Sequence, residues 1–113
     1  MLLNIGYNYA KKSTNDFWQC YIFHDVDHLP ENDGNLYNCA SQVRHMSVSV
    51  QKYGYKFRSW YYGGSVAVNR SHYELLNGFS NEFWGWGSED DDLRHRIIYH
   101  HLKTERYIPD VAR

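Results

Sequence analysis

The run Gln19-Cys20-Tyr21-Ile22-Phe23 ends abruptly in His24-Asp25-Val26-Asp27-His28. Aromatic and β-branched residues in so short a run predict a buried strand. The two carboxylates then stand at its carboxyl end, where open α/β sheets bind their ligands. Extended backbone through them would turn both side chains to about the same side. Paired oxygen ligands of this kind suit Mg²⁺ or Mn²⁺, ions that commonly bridge to substrate phosphates. A strand-ending turn with solvated acids accounts for a bare Asp-x-Asp equally well. The flanking His24 and His28 add a His/Asp zinc site as a third reading.

Helix and strand signals are mixed along the rest of the chain. Leu2 to Lys12 has apolar residues at helical spacing, as Leu2, Ile5, Tyr9 and as Leu3, Tyr7, Ala10, and Asn15-Asp16 breaks it. A loop runs through Pro30 and Asn32-Asp33-Gly34-Asn35. From Arg44 to Gln51, Met46, Val48 and Val50 alternate with Ser47 and Ser49, which predicts a half-buried strand, and Tyr53-Gly54 turns the chain. Trp60-Tyr61-Tyr62, Gly63-Gly64 and Ser65-Val66-Ala67-Val68 predict strand, tight bend, strand. Ser71-His72-Tyr73-Glu74 reads as a capping box before a short helix closed by Asn77-Gly78. Ser88 opens a last helix from Glu89 to about Leu102, with Leu93, Ile97 and His101, or Ile98 and Leu102, turned inward. A final short strand covers Arg106 to Ile108. The order predicts an α/β fold.

Composition narrows the function. A length of 113 residues supports one domain. Twelve Lys+Arg against 13 Asp+Glu leave a net charge of −1, which excludes a broad basic surface for nucleic acid. No stretch approaches the roughly 20 apolar residues of a membrane span, and the amino end lacks the basic start and long apolar core of a signal peptide. Mean hydropathy is −0.72 although 42% of residues are hydrophobic. The 11 Tyr and 4 Trp explain this, since they score as polar or neutral yet build cores and pockets. An aromatic content of 18% argues against disorder and for a protein that holds something flat or ring-shaped.

Trp84-Gly85-Trp86-Gly87-Ser88-Glu89-Asp90-Asp91-Asp92 is the second acid motif. An N-cap serine and one or two acids in a first helical turn need only the helix dipole to explain them. Four successive acids repel one another, and tryptophans spaced by single glycines have no capping role. Glycines let backbone approach a ligand closely, tryptophan faces suit a sugar ring, and a carboxylate beside them can serve as general base for a hydroxyl. Trp60-Tyr61-Tyr62-Gly63-Gly64 is a candidate pocket wall, or an aromatic strand with a glycine bulge. Cys20 and Cys39 would pair in a lumenal compartment and stay reduced in cytosol. Asn69-Arg70-Ser71 is a glycosylation sequon. His95, His100 and His101 carry no assigned chemistry.

Taken together, Phe23 to Pro30, Arg44-His45-Met46-Ser47-Val48, Tyr62-Gly63-Gly64, Asn77-Gly78-Phe79-Ser80-Asn81 and Trp84 to Asp92 resemble the β-1,4-galactosyltransferase family over the whole chain. His-Asp-Val-Asp with Arg-His-Met-Ser is similar to invertebrate members, including those that transfer N-acetylgalactosamine. The resemblance implies a partial nucleotide-diphospho-sugar transferase (GT-A-like) fold, a mixed sheet flanked by helices. It implies inverting, Mn²⁺-dependent transfer from a UDP-sugar such as UDP-galactose to a glycan ending in N-acetylglucosamine or glucose, in the Golgi lumen. By position, Asp27 matches the metal-binding acid and Asp25 its donor-side partner, with Val26 between them. Asp90 matches the catalytic base, and Glu89 and Asp91 match carboxylates that hold the sugars. Trp86, with Gly87 beside it, matches the tryptophan of a mobile loop that closes over the donor. Gly64 falls in the donor-sugar pocket. Tyr61, across a one-residue deletion, matches the position that tunes donor choice, where tyrosine is similar to galactose-transferring members. Cys20 and Cys39 match a family disulfide.

The resemblance also implies that residues 1–113 are the carboxyl-side part of a single, truncated catalytic domain. A membrane anchor, a stem and much of the uridine pocket would lie before Leu2. A methionine and a histidine completing the metal site would lie past Arg113. Asp27 would then be the one family metal ligand present, so the site would be incomplete and the isolated chain inactive. A carbohydrate-binding, non-catalytic fragment is the alternative. An acidic ion-binding structural domain would explain the acids but not Trp84, Trp86 or the glycines.

Overall fold

Only one of the two apolar stripes on the first helix is buried. In the computed structural model, which describes residues 1–15 and 17–113, α1 spans Leu2–Ser13. Leu3, Tyr7 and Ala10 pack on the core, while Leu2, Ile5 and Tyr9 face outward. The helix ends one residue past the expected Lys12. Of the expected breaker, Asn15 takes a positive φ of 48° and Asp16 lies outside the described residues.

The sheet has four strands in the order β1-β3-β2-β4, namely β1 Cys20–His24, β2 Val43–His45, β3 Ser65–Asn69 and β4 Thr104–Arg106. β3 pairs antiparallel with β1 and β2, and β4 lies parallel to β2, so the sheet is mixed as the resemblance implies. β3 is central and buried from Ser65 to Val68. β1 is an edge strand, so only Tyr21 and Phe23 are buried, not the whole run. These rings join Tyr7, Tyr73 and Phe79 in an aromatic core with centroids 4.3–5.1 Å apart. That geometry adds to area burial alone. A disulfide ties Cys20, at the start of β1, to Cys39 in the loop before β2.

Several boundaries differ from the sequence expectations. The strand expected over Arg44–Gln51 stops at His45. Beyond it the amides of Val48 and Ser49 both donate to the carbonyl of Ala112, so residues 46–49 are all buried and do not alternate. Trp60-Tyr61-Tyr62 is not a strand: the Tyr61 amide closes a turn onto Arg58, and Tyr53, Trp60 and Tyr61 pack ring against ring. α2, Arg70–Leu75, starts before the expected capping box. Glu74 cannot serve that box, because it takes hydrogen bonds from Tyr7, Lys11 and Arg70 instead. Asn69, at the N-cap position, donates its side-chain amide to Ala40, so the sequon nitrogen is engaged. α3, Glu89–Tyr99, stops short of Leu102. His101 adopts φ 57°, and the amides of His101 and Leu102 bond back to Ile98 and Ile97, a Schellman closure without glycine. The last strand lies at Thr104–Arg106, two residues before its expected place, where it can pair with β2.

Asn4 fastens α1 to the segment that leads into the tryptophan motif. It accepts from the Phe79 amide and the Tyr73 hydroxyl, and donates to the Phe79 carbonyl and Asn81. Its removal strands partly buried groups, so Asn4→Ala is expected to cost about 2–3 kcal/mol in urea unfolding. An unchanged midpoint would show that the clamp contributes nothing.

Candidate active site

The strand ends at His24, and the chain turns at once. The Asp25 amide donates to the Gly64 carbonyl at 2.8 Å, and the His28 amide closes back onto Asp25 at 3.1 Å. The two acids therefore converge through a turn, not through strand alternation as expected. Ligand atoms of Asp25, Asp27 and His28 all lie within 4.8 Å of one another, while Val26 is 99% exposed. This donor set of two carboxylates and an imidazole fits a divalent ion such as Mn²⁺.

Gly64 makes this turn possible. Its φ is +95°, and a Cβ there would fall 2.4 Å from both His28 Nδ1 and Ser47 Oγ. His45 holds the preceding glycine from the other side. Its Nε2 donates to the Gly63 carbonyl at 3.0 Å, Arg106 Nε donates to its Nδ1 at 3.2 Å, and its ring stacks on Tyr62. Burial lowers the His45 pKa from 6.5 to about 4, so the ring stays neutral and keeps one donor and one acceptor.

The second acid motif arrives from the far end of the chain. Gly85 and Gly87 both take positive φ, which only glycine adopts cheaply, and Ser88 follows at φ 75°. In that conformation Ser88 occupies the N-cap position, but its hydroxyl makes no capping bond. Trp84 and Trp86 stand 82% and 93% exposed, and the Lys52 ammonium lies 5.6 Å from the Trp86 ring. Asp92 is engaged by Arg96, which also donates to the carbonyls of Leu76 and Gly78. Glu89 is half-buried and Asp91 exposed.

Asp90 turns inward to meet the first motif. Asp25, Gly64 and Asp90 line one narrow crevice with Phe23, Tyr62 and Phe79. Burial first, then Glu89, Asp25 and Asp91, push the Asp90 pKa up to about 7. Burial, with Tyr53, Asp90, Asp25 and Asp27, pushes Tyr61 up to about 12. A Cβ on Gly63 would lie 3.0 Å from the Tyr61 hydroxyl and 3.2 Å from Asp90 Oδ2, so that glycine lets the two approach. Asp25, Asp27, Tyr61, Gly64 and Asp90 thus come together. Trp86, Gly87 and Asp91 remain on the rim. Among the described residues, none of Asp25, Asp27 and Asp90 has an ion-pair partner.

Two larger hollows flank the crevice. One of about 500 Å³ has Asp27, His28, Ser47, Lys52 and Tyr55 in its wall. The other, about 790 Å³, lies under α1 among Asn4, Glu74, Asn81 and Arg96, and only Asp92 of the acid motifs reaches it. Lys11, Glu74, Asp92 and Arg96 in its wall are already paired, so chemistry and not size points to the crevice and the smaller hollow as the candidate site.

Known proteins similar to this chain define its family and its fold. Residues 44–113 match the family profile of the N-terminal domain of galactosyltransferase, and residues 1–40 that of the N-terminal region of glycosyl transferase group 7. β-1,4-Galactosyltransferase 4 of Rattus norvegicus is 51% identical over 113 residues, 99% of this chain and 32% of that protein. β-1,4-Galactosyltransferase 5 of Danio rerio is 44% identical over 107 residues, 94% of this chain and 28% of that protein. A Drosophila β1,4-galactosyltransferase 7 mutant, solved with manganese, UDP-Gal and xylobiose, superposes with a TM-score of 0.80 at 36% identity. That match covers 93% of this chain and 43% of the other. The fold is therefore the α/β fold of galactosyltransferase catalytic domains. The chain belongs to the β-1,4-galactosyltransferase family and spans about a third of the length of the relatives it matches.

Sequence reasoning assigned no role to His45, although it props the glycine bend. Its only signal was its place in Arg44-His45-Met46, and a buried ring stacked on a distant tyrosine leaves no spacing to detect.

Asp90 and His45 pull the pH dependence of stability in opposite directions. Asp90 binds its proton more tightly when folded, so its contribution is full below pH 3.8 and lost as pH rises through about 7. His45 binds its proton less tightly, so its contribution is full above pH 6.5 and lost as pH falls through about 4. In metal-free buffer, Asp90→Asn is expected to melt higher than the parent above about pH 7, with each kcal/mol worth about 4 °C or more. His45→Gln, which keeps a donor for Gly63, should flatten the acid-side decline. Thermal melts across this window check both, and parental slopes in both variants would refute the assignments.

Proposed function

We propose that the protein carrying this chain transfers galactose, or N-acetylgalactosamine, from a UDP-sugar to a glycan ending in N-acetylglucosamine or glucose, with inversion. The observation that carries this reading is the meeting of Asp25 and Asp90 in one crevice, with the Asp90 pKa raised to about 7. The likeness to galactosyltransferases 4 and 5, and to a fly enzyme solved with manganese and UDP-Gal, supports the donor class.

The acceptor hydroxyl oxygen forms a bond to the anomeric carbon as the bond from that carbon to the diphosphate oxygen breaks, and UDP leaves. Asp90 takes the hydroxyl proton; a base with a pKa near the working pH is well matched to that task. Asp25 and Asp27 hold the donor side, and a divalent ion bound there would neutralise charge on the leaving diphosphate. Tyr61 stays protonated and offers a hydroxyl beside Asp90. Trp86, with Gly87, supplies an exposed apolar face at the rim for a sugar ring, and Glu89 and Asp91 offer acceptors for sugar hydroxyls. The proposed compartment is the Golgi lumen, as part of a type II membrane protein, and the Cys20–Cys39 disulfide suits an oxidising lumen. Residues 1–113 are proposed to be one truncated piece of the catalytic domain. By itself this piece is proposed to give no product, because the resemblance assigns much of the uridine pocket to other residues.

The test uses the protein that carries this chain together with the flanking segments of its relatives, assayed with UDP-galactose and Mn²⁺. Asp90→Asn should lower kcat by about 10²–10⁴ and leave UDP binding, read by calorimetry, largely intact. Retained turnover removes Asp90 from the role of base. Clear product from residues 1–113 alone overturns the proposed inactivity.

A further inference from the structure

We infer that His28 is a third protein ligand of the divalent cation, so that Asp25, Asp27 and His28 form a metal site contained within this chain. The inference rests on the proposed role of Asp27 and goes beyond it. The resemblance alone would leave Asp27 as the single metal-binding residue here.

Three independent features bring the imidazole in. The turn closed by the His28 amide on the Asp25 carbonyl brings the backbone of residue 28 back to the acid motif. Ligand atoms of all three residues lie within 4.8 Å of one another. Three donors each about 2.0–2.2 Å from one ion lie about 3.0–3.7 Å apart, so side-chain rotations that bring these atoms about 1–2 Å closer close the site. The ring also sits in the space left by the missing Cβ of Gly64. Among the described residues, its side chain makes no hydrogen bond that would fix it for a structural purpose.

The surroundings favour a bound cation. Asp27 and His28 share the wall of the 500 Å³ hollow with Asn35, which is 7% exposed and whose Oδ1 has no partner. Two carboxylates balance the charge of one divalent ion. A nitrogen donor beside them biases the site toward Mn²⁺, Co²⁺ or Zn²⁺ and away from Mg²⁺, which takes oxygen ligands by preference.

The experiment uses Mn²⁺ as the probe on the 113-residue chain, with calorimetric titration for affinity and pulsed EPR for ¹⁴N coupling to the ion. The parent should bind Mn²⁺ and show imidazole nitrogen coupling. His28→Ala and His28→Asn should each lose that coupling and bind about tenfold more weakly or worse, since even outer-shell changes cost that much. His24→Gln, which removes the neighbouring imidazole, should keep the coupling. Mn²⁺ binding without nitrogen coupling, or parental affinity in both His28 variants, overturns the inference. If Asp27→Asn abolishes binding in that case, the acid's proposed role survives. No Mn²⁺ binding by the parent also overturns the inference, and metal-independent turnover by the longer protein would sink the functional reading with it.

Discussion

The hydrogen bond from the Asp25 amide to the Gly64 carbonyl sets the geometry of everything around it. It continues the β1–β3 ladder by one rung past the pair His24 and Ser65. Through it, the first acid motif is locked to the glycine bend that precedes β3. The bend brings in Gly63, against which Tyr61 and Asp90 both lie, and His45, which holds Gly63 from behind. Two acid motifs more than sixty residues apart meet because a single backbone rung joins their supports.

That convergence is unfavourable in the absence of a ligand. Asp25, Asp27, Glu89, Asp90 and Asp91 gather without a cationic partner among the described residues, and burial first, then Glu89, Asp25 and Asp91, make Asp90 hold its proton to about pH 7. Like charges in a half-buried site are stabilised by binding a cation or a proton. The compensation lies elsewhere in the fold. It comes from the ring cluster of Tyr7, Tyr21, Phe23, Tyr73 and Phe79, from the Cys20–Cys39 bridge, and from the ties that Asn4, Glu74 and Arg96 make between helices and loops. The exposed Trp84 and Trp86 contribute little to that core, as suits side chains placed to meet a ligand.

Much of the scaffold was legible in the residues. The run from Gln19 to Phe23, the run Ser65–Val68 after the glycine pair and the acid-rich start of α3 each mark their element through local patterning, and the structure has all three. Elements whose limits depend on distant partners were misplaced. Residues 46–50 read as a strand because the pattern cannot know that Val48 and Ser49 will turn to Ala112. The capping box at Ser71 failed because Glu74 was claimed by Tyr7 and Lys11 of α1. The end of α3 was missed because His101 takes a conformation usually left to glycine or asparagine.

The family, the α/β class and the residue types of the candidate site could be read without any coordinates, because these rest on motifs that are contiguous in the chain. The sequence also narrowed the first helix to two possible inner faces. Which face is buried, whether Asp25 and Asp27 align by alternation or by a turn, and that Asp90 and not Asp91 enters the crevice were decided only by the tertiary structure. So were the parts of His28 and His45. The physical reason is the same in each case: these outcomes depend on burial and hydrogen bonds between residues far apart in the chain, and local patterning carries no record of them.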